Sequence, residues 1–320
     1  MSLIKFRQAI SKKECEEAYN LAQQVFLDKS EYACKIMSKK LSWQEFGLDN
    51  PQNLIVGFDD KKLIGLLRIC PIEMTYKGQH FKVAGLSSIC ISPQYRGSGL
   101  GRELMELSLE IIDKLDFDFS YLIARRAVDN FYGRFGFVGA SSYQSLNIKF
   151  DTTNSNKIVC FDEFNSNHEQ FYRKCFDWSY RECFGAMKRP PGFWANAIQR
   201  IKLMNLIFHE VTIRSEPIGY LILDEKNIFE CAFSNKLSKK IVEDIFTNFH
   251  SYKIIIPHQH SLVKSLKPFD VEFFSRRCIY GGHMLRWSSK FKRPPIDISI
   301  GVINSGKKNN FFNISLMDEV

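Results

Sequence analysis

The stretch Ile91–Ile112, ISPQYRGSGLGRELMELSLEII, decides how the first half of this 320-residue chain is read. A β-branched run ends at Pro93. The turn Arg96-Gly97-Ser98-Gly99-Leu100-Gly101 follows, and Leu100, Leu104, Leu107 and Ile111 then recur at the spacing of one helix face. A glycine-rich turn between a strand and a helix suits an anion. The first amides of a helix have no partner within it, its dipole is positive at that end, and glycine lets a phosphate approach the backbone. The turn lacks the Lys-Ser/Thr ending of a nucleotide P-loop, and its glycines are spaced GxGxG rather than GxGxxG. Alone, it leaves a phosphate cradle and a bare tight turn both open.

Working outward, Ser11 and Glu14 form a capping box, and Ala18, Leu21, Ala22 and Val25 predict a helix over Lys12–Phe26. A second short helix is expected at Tyr32–Ser38. A hairpin follows, with strands Leu54–Phe58 and Leu63–Ile69, then a turn at Lys77–Gln79 and a strand ending near Ile91. After the helix of the opening stretch come a strand at FSYLIAR, a short helix in AVDNFYGRFGF broken at Gly136, and a strand at YQSLNIKF. The fold class is therefore α/β, an α+β mixed sheet, over a first domain of residues 1–150. Residues 151–200 change texture to an aromatic-rich helical linker, interrupted at Pro190-Pro191. Residues 201–290 repeat the order β-β-β-α-β, which reads as a second copy of the same fold, and residues 291–320 read as a C-terminal tail.

Bulk composition narrows the class. The length suits two domains, and 45% hydrophobic with 25% charged residues is ordinary globular usage. Nothing in the first residues resembles a secretory leader, so none is expected, and no apolar run comes near the roughly 20 residues a membrane span needs. Nine scattered cysteines without a CxxC pair read as reduced thiols, so the expected location is cytoplasmic. Lys plus Arg outnumber Asp plus Glu by 44 to 35, which favours anionic partners. No basic stripe interleaved with aromatics points to nucleic acid. The His258-x-His260 pair falls short of the three or four ligands zinc requires, so no metal is expected.

About thirty residues beyond the glycine turn lies DNFYGRFGFVGA. The two motifs in this order resemble the GNAT superfamily of acyl-CoA-dependent acetyltransferases over residues 4–150. The resemblance implies acetyl-CoA as co-substrate. It implies that Arg96, Gly97, Ser98, Gly99, Leu100, Gly101 and Arg102 hold the coenzyme pyrophosphate. Ile89, Cys90 and Ile91 are implied to pair with the pantetheine arm, one of their amides polarising the thioester carbonyl. Asn130 is implied to contact the coenzyme, and Tyr132 to protonate the departing thiolate. The chemistry is sound, because a thiol and a phenol lie within about two pKa units of each other.

The tandem arrangement and FYGRFGFVGA are also similar to the enhanced-intracellular-survival family of aminoglycoside acetyltransferases, although the chain is too short for that family's third, sterol-carrier-like domain. The second copy has no glycine at its turn, in IFECAFSNKLSKKIVED, and no tyrosine in the acid position, so it is expected to bind no coenzyme. The strand before the glycine turn carries no carboxylate to serve as base. Ser87 and Ser88 there are able to hold a water, while Glu73, His80 and Asp129 are nearby in sequence and read more simply as surface residues. Cys90 reads as an inert buried thiol rather than a nucleophile. The expected reaction is direct acetyl transfer to a primary amine of a small molecule: an amino sugar, a sugar nucleotide or an aminoglycoside-like compound. The basic balance favours an anionic acceptor. A protein or peptide amine, or a non-catalytic acyl-CoA sensor, are the alternatives, and a homodimer is an open expectation.

Overall fold

The computed structural model describes residues 4–26, 50–124, 128–139, 143–148, 158–267, 269, 271–276 and 282–291. The helix expected at Tyr32–Ser38 and nearly all of the tail lie outside these residues. The first half opens with a strand absent from the sequence reading, β1 (Lys5–Gln8). Helix α1 (Lys12–Phe26) and strands β2 (Leu54–Asp59), β3 (Lys62–Tyr76) and β4 (Gln79–Ile91) follow. Then come α2 (Leu100–Lys114), β5 (Phe119–Ala124), the single turn α3 (Asp129–Gly133) and β6 (Val138–Gly139). The next strand is β7 (Tyr143–Ile148). The second half comprises β8 (Val159–Asp162), α4 (Glu169–Tyr180), α5 (Phe193–Leu203), β9 (Ile207–Ile213), β10 (Glu216–Leu223), β11 (Asn227–Phe233), α6 (Lys239–Thr247), β12 (Lys253–Pro257), α7 (Ser261–Leu266), β13 (Val271–Arg276) and β14 (Gly282–Trp287).

These strands form two seven-stranded mixed sheets with matching layouts, β1-β2-β3-β4-β5-β14-β6 and β8-β9-β10-β11-β12-β7-β13. The sixth place in each is filled by a strand from the other half of the chain. β14 lies antiparallel to β5 from Gly282↔Ala124 to Trp287↔Phe119, and β7 lies between β12 and β13. The exchange is built into the cores: Leu146 of β7 is fully buried in the second core, while Met284 and Leu285 of β14 are buried in the first. The sheets therefore cross the sequence boundary expected at residue 150.

Each sheet is covered on both faces. In the first, α1 packs Ala18 and Ala22 over Val56 and Leu66, and α2 packs Leu104 and Met105 over Leu67 and Leu86. In the second, α6 and α7 cover one face and the linker helices α4 and α5 cover the other, where Tyr172, Phe176 and Trp194 meet Tyr220 and Ala232. The linker also ties into the first sheet. Past the end of β2, the free edge of β3 is bonded from Lys188 N to Glu73 O at 2.9 Å and from Thr75 N to Ala186 O at 3.1 Å.

One residue later, buried Arg189 is held by Glu230 through two hydrogen bonds of 2.8 Å. The Tyr220 hydroxyl donates to the same carboxylate at 2.6 Å, and the guanidinium lies 3.6 Å from the Phe176 ring centroid. Breaking such a buried pair by removing one partner costs about 3–5 kcal/mol. Among the described residues no helix is long and apolar enough to cross a membrane.

Candidate active site: diverging strands and an uncapped glycine turn

β4 and β5 run parallel and are paired only from Val83↔Phe119 to Leu86↔Leu122. Beyond Leu86, β4 stays with β3 as far as Gly65↔Ile91 and leaves β5. A bulge accompanies the divergence. Leu66 pairs with Cys90 and Arg68 with Ser87, so Leu67 opposes both Ser88 and Ile89, and Ser88 sits at φ 53°. A left-handed serine costs about 1–3 kcal/mol, and such backbone concentrates at functional sites. The resulting gap exposes one side of the β4 backbone at Ile89 and Ile91. Cys90 packs instead against the α1 core, 7% exposed, as an inert thiol would.

The glycine turn closes the mouth of this gap. The Tyr95 hydroxyl donates to Asp59 at 2.7 Å, anchoring the turn's first residues. Arg96 Nε donates to Ile91 O at 3.1 Å, and Ser98 Oγ donates to Tyr95 O at 2.7 Å. Gly97 and Gly99 have φ of 84° and 89°, and the positions where a Cβ would project meet no atom within 4 Å. Gly99 is the N-cap of α2 and supplies no side-chain cap, so the first amides of the helix point outward without one. Arg102 is exposed and bonded to Glu106 at 2.7 Å one turn along the same helix. Leu100 is buried as the first core residue of α2, so it contributes only its backbone to the turn.

The second motif meets the first. A Cβ on Gly101 would lie 3.8 Å from Phe131 Cζ and 3.9 Å from Ile91 Cγ1. Tyr132 is half-buried against the same core as Ile89 and Ile91, with Phe131 at 5.2 Å and Phe137 at 6.3 Å between ring centroids. Asn130, two residues before Tyr132, is exposed. The structure thus gathers the end of β4, the turn and α3 at one end of the first sheet.

Other candidates are not brought there. Glu73 pairs across the β3–β4 hairpin with Lys82, five residues from Arg68↔Ser87, or about 17 Å at the rise of a strand. His80 is further still, and the side chain of Asp129 lies outside the described set. Glu73 is engaged by Lys188 at 2.7 Å, which lowers its pKa below the usual carboxylate value. Sequence reasoning passed over Arg68, which is 2% exposed on β3 and donates through Nη2 to Ser87 Oγ at 3.1 Å beside the bulge. The signal was a cation inside the apolar run LLRIC. His283, fully buried on β14 opposite Ile123, was also missed, because nothing in sequence places β14 beside β5.

The second half repeats the divergence and fills it. β11 and β12 are paired in parallel only at Asn227↔Lys253 and Ile228↔Ile254. The side of β11 facing the gap is bonded by the chain's own side chains: His260 Nε2 to Cys231 O at 3.0 Å, and Ser179 Oγ with Phe233 N at 2.9 Å and with Phe233 O at 3.3 Å. In place of a bare glycine, the helix that follows has Ser238 as its N-cap, accepting from Ile241 N.

Comparison with known proteins agrees with this geometry. A family model described as an acetyltransferase (GNAT) domain matches residues 7–139, ending where the chain leaves the first sheet for the second. No curated protein matches the chain by sequence. Among solved structures, the chain is similar to a GCN5-related N-acetyltransferase from Anabaena variabilis, at 18% identity and TM-score 0.66, over 90% of this chain and 74% of that one. It is similar to a probable N-acyltransferase from Enterococcus faecalis at 14% identity and TM-score 0.64, over 90% and 73%. It is also similar to Eis1 from Mycobacterium abscessus at 16% identity and TM-score 0.61, over 89% and 74%. At such identities the structural likeness speaks for the fold, and the family match for the domain. Residues 7–139 thus match the acetyltransferase (GNAT) domain, and the similar solved structures share the fold of the whole described chain.

Proposed function

We propose that the chain moves an acetyl group from acetyl-CoA directly to a primary amine of a small molecule. The observation that carries the reading is the divergence of β4 from β5 after Leu86, with an uncapped glycine turn at its mouth. The open space at Gly97 and Gly99 fits a pyrophosphate held by the segment Arg96–Arg102, in which the amides of Arg96 and Arg102 already donate to Pro93 O and Gly99 O. The pantetheine arm then runs as an extra strand along Ile89, Cys90 and Ile91, and an amide of this segment holds the thioester oxygen as negative charge develops there. Asn130 contacts the coenzyme from the exposed side of α3.

The chemistry assigned to Tyr132 is proton delivery. The amine nitrogen attacks the thioester carbon, the C–S bond breaks, and the sulfur takes the Tyr132 hydroxyl proton. The proton shed by the amine passes to solvent, from which the tyrosinate is restored, so the products are an amide and a free thiol. The second half serves this reaction as scaffold, its own gap being filled from within. The test is release of coenzyme thiol with a panel of amines: amino sugars, their phosphates, aminoglycosides and a lysine peptide. A small-molecule amine should raise turnover well above the rate with water. Turnover with the peptide alone would favour the protein-amine alternative, and none with any amine would leave a sensor.

A further inference from the structure

The filled gap of the second half leaves a small pocket of about 90 Å³ beside it. Three segments meet there. The end of α4 contributes Ser179 and Arg181, and α7 contributes Ser261 and Lys264. Lys236 comes from the turn between β11 and α6, the counterpart of the glycine turn. Ser179 is the residue that bonds both backbone groups of Phe233, and Ser261 directly follows His260, whose ring bonds Cys231 O. The pocket is thus bounded by the contacts that close the gap.

Its size and charge define the occupant. Sites for whole small molecules run from about 300 to 1,000 Å³, so this one takes a single ionic group and not a second coenzyme. Arg181, Lys236 and Lys264 reach it from separate segments, against one lining carboxylate, Glu182. Among the described residues none of these three cations is bonded to a carboxylate, and Glu182 acts on Lys77, outside the pocket. A cleft lined mainly by one sign of charge concentrates the opposite ion. The Arg181 guanidinium lies 4.9 Å from the Trp178 ring centroid, which steadies its planar fork of donors, and the two lysines add point charges.

We propose that this pocket binds a tetrahedral oxyanion of the phosphate class, either the free ion or the terminal group of a small phosphate ester. The bound anion joins α4, the turn and α7, and so holds the second-half gap closed. The site does not depend on the acetyl-transfer reading. Calorimetry and thermal melting of the full chain test it, with inorganic phosphate as the probe and sodium chloride of equal ionic strength as the control. Saturable binding is expected, with a melting temperature raised by phosphate and not by chloride. Lys236 and Lys264 are both exposed, so the double variant Lys236→Gln/Lys264→Gln should fold and bind phosphate at least tenfold more weakly. Lys240→Gln, an exposed position of α6 outside the pocket, should leave the affinity unchanged. Phosphate held at the glycine turn is not touched by these substitutions, so the difference between the proteins reports this pocket alone. Glycerol 3-phosphate separates the two sources: its binding as well assigns an ester's phosphate group, and binding of inorganic phosphate alone assigns the free ion. Absence of saturable phosphate binding, unchanged affinity in the double variant, or an equal loss in Lys240→Gln would overturn the assignment.

Discussion

The ring of His260 bonds the carbonyl of Cys231 at 3.0 Å in the second half of the chain, at the place where the first half leaves its parallel strands apart. With Ser179 on both backbone groups of Phe233, the strand surface that would receive an extended ligand is already taken. One acetyl-CoA per chain is therefore the expected stoichiometry in equilibrium dialysis. Two would show that the His260 and Ser179 contacts open.

The same histidine makes stability depend on pH. Nδ1 accepts from Leu262 N at 3.2 Å while Nε2 faces Cys231 O, so a neutral ring protonated at Nε2 satisfies both bonds. Burial pushes its pKa from 6.5 down to about 4, outweighing the opposite pull of the Cys231 carbonyl and of Glu230. The unfolded chain then takes up the proton first as pH falls. The stability contribution is complete above pH 6.5 and is lost progressively towards pH 4, at about 1.4 kcal/mol per pH unit. Half-buried His258 acts in the same direction. Urea unfolding at pH 7.5 and 5.5 should show this loss in the parent and a smaller one in His260→Gln. Equal losses would remove His260 as the source.

Gly99→Ala should separate binding from folding. Its φ of 89° places an alanine in the left-handed region at a cost of about 1–2 kcal/mol, while the Cβ itself meets no protein atom. It projects into the space assigned to the pyrophosphate. A rise of at least tenfold in the KM for acetyl-CoA is expected, with a folded protein by circular dichroism. An unchanged KM would remove the turn from the coenzyme site.

Tyr132→Phe retains the ring contacts with Phe131 and Phe137 and removes only the hydroxyl. General-acid catalysis contributes roughly 10²- to 10⁴-fold, so kcat should fall by about 10² or more with little change in the KM for acetyl-CoA. Steady-state kinetics with the best amine of the panel decides. Equal kcat in the two proteins would move the acid elsewhere.

Residues 1–150 made alone should not fold to a stable monomer. They lack β14, whose Leu285 and Met284 are buried in the first sheet, and burying such a side chain contributes roughly 1.5–3 kcal/mol. They also carry β7 with no sheet to join. Co-expression with residues 151–320 should restore a soluble complex, measured by co-purification and thermal melting. A well-folded 1–150 fragment would show that β14 is dispensable.

How much of this was legible depended on sequence distance. The glycine turn, the DNFYGRFGF segment and the repeated element order are local patterns, and the structure places each on its expected element. β1 escaped because KFRQ is four residues with only Phe6 strongly apolar. The exchange of β7 and β14 was invisible for a physical reason. A strand's alternation says which face is buried but not against which sheet, and YQSLNI and GHMLRW suit either sixth position. Ser179 and His260 are unremarkable residues 81 positions apart, and only the packing of α4 and α7 brings them to one strand.

The exchanged strands also set a timetable. The first sheet is not complete until residues 282–287 have been synthesised, because β14 fills its sixth place, and the second must wait for residues 271–276, because β7 lies between β12 and β13. A nascent chain usually finishes its N-terminal unit while the rest is still being made. Here the half that carries the glycine turn emerges first and closes last, so its completion waits until the second half has been made.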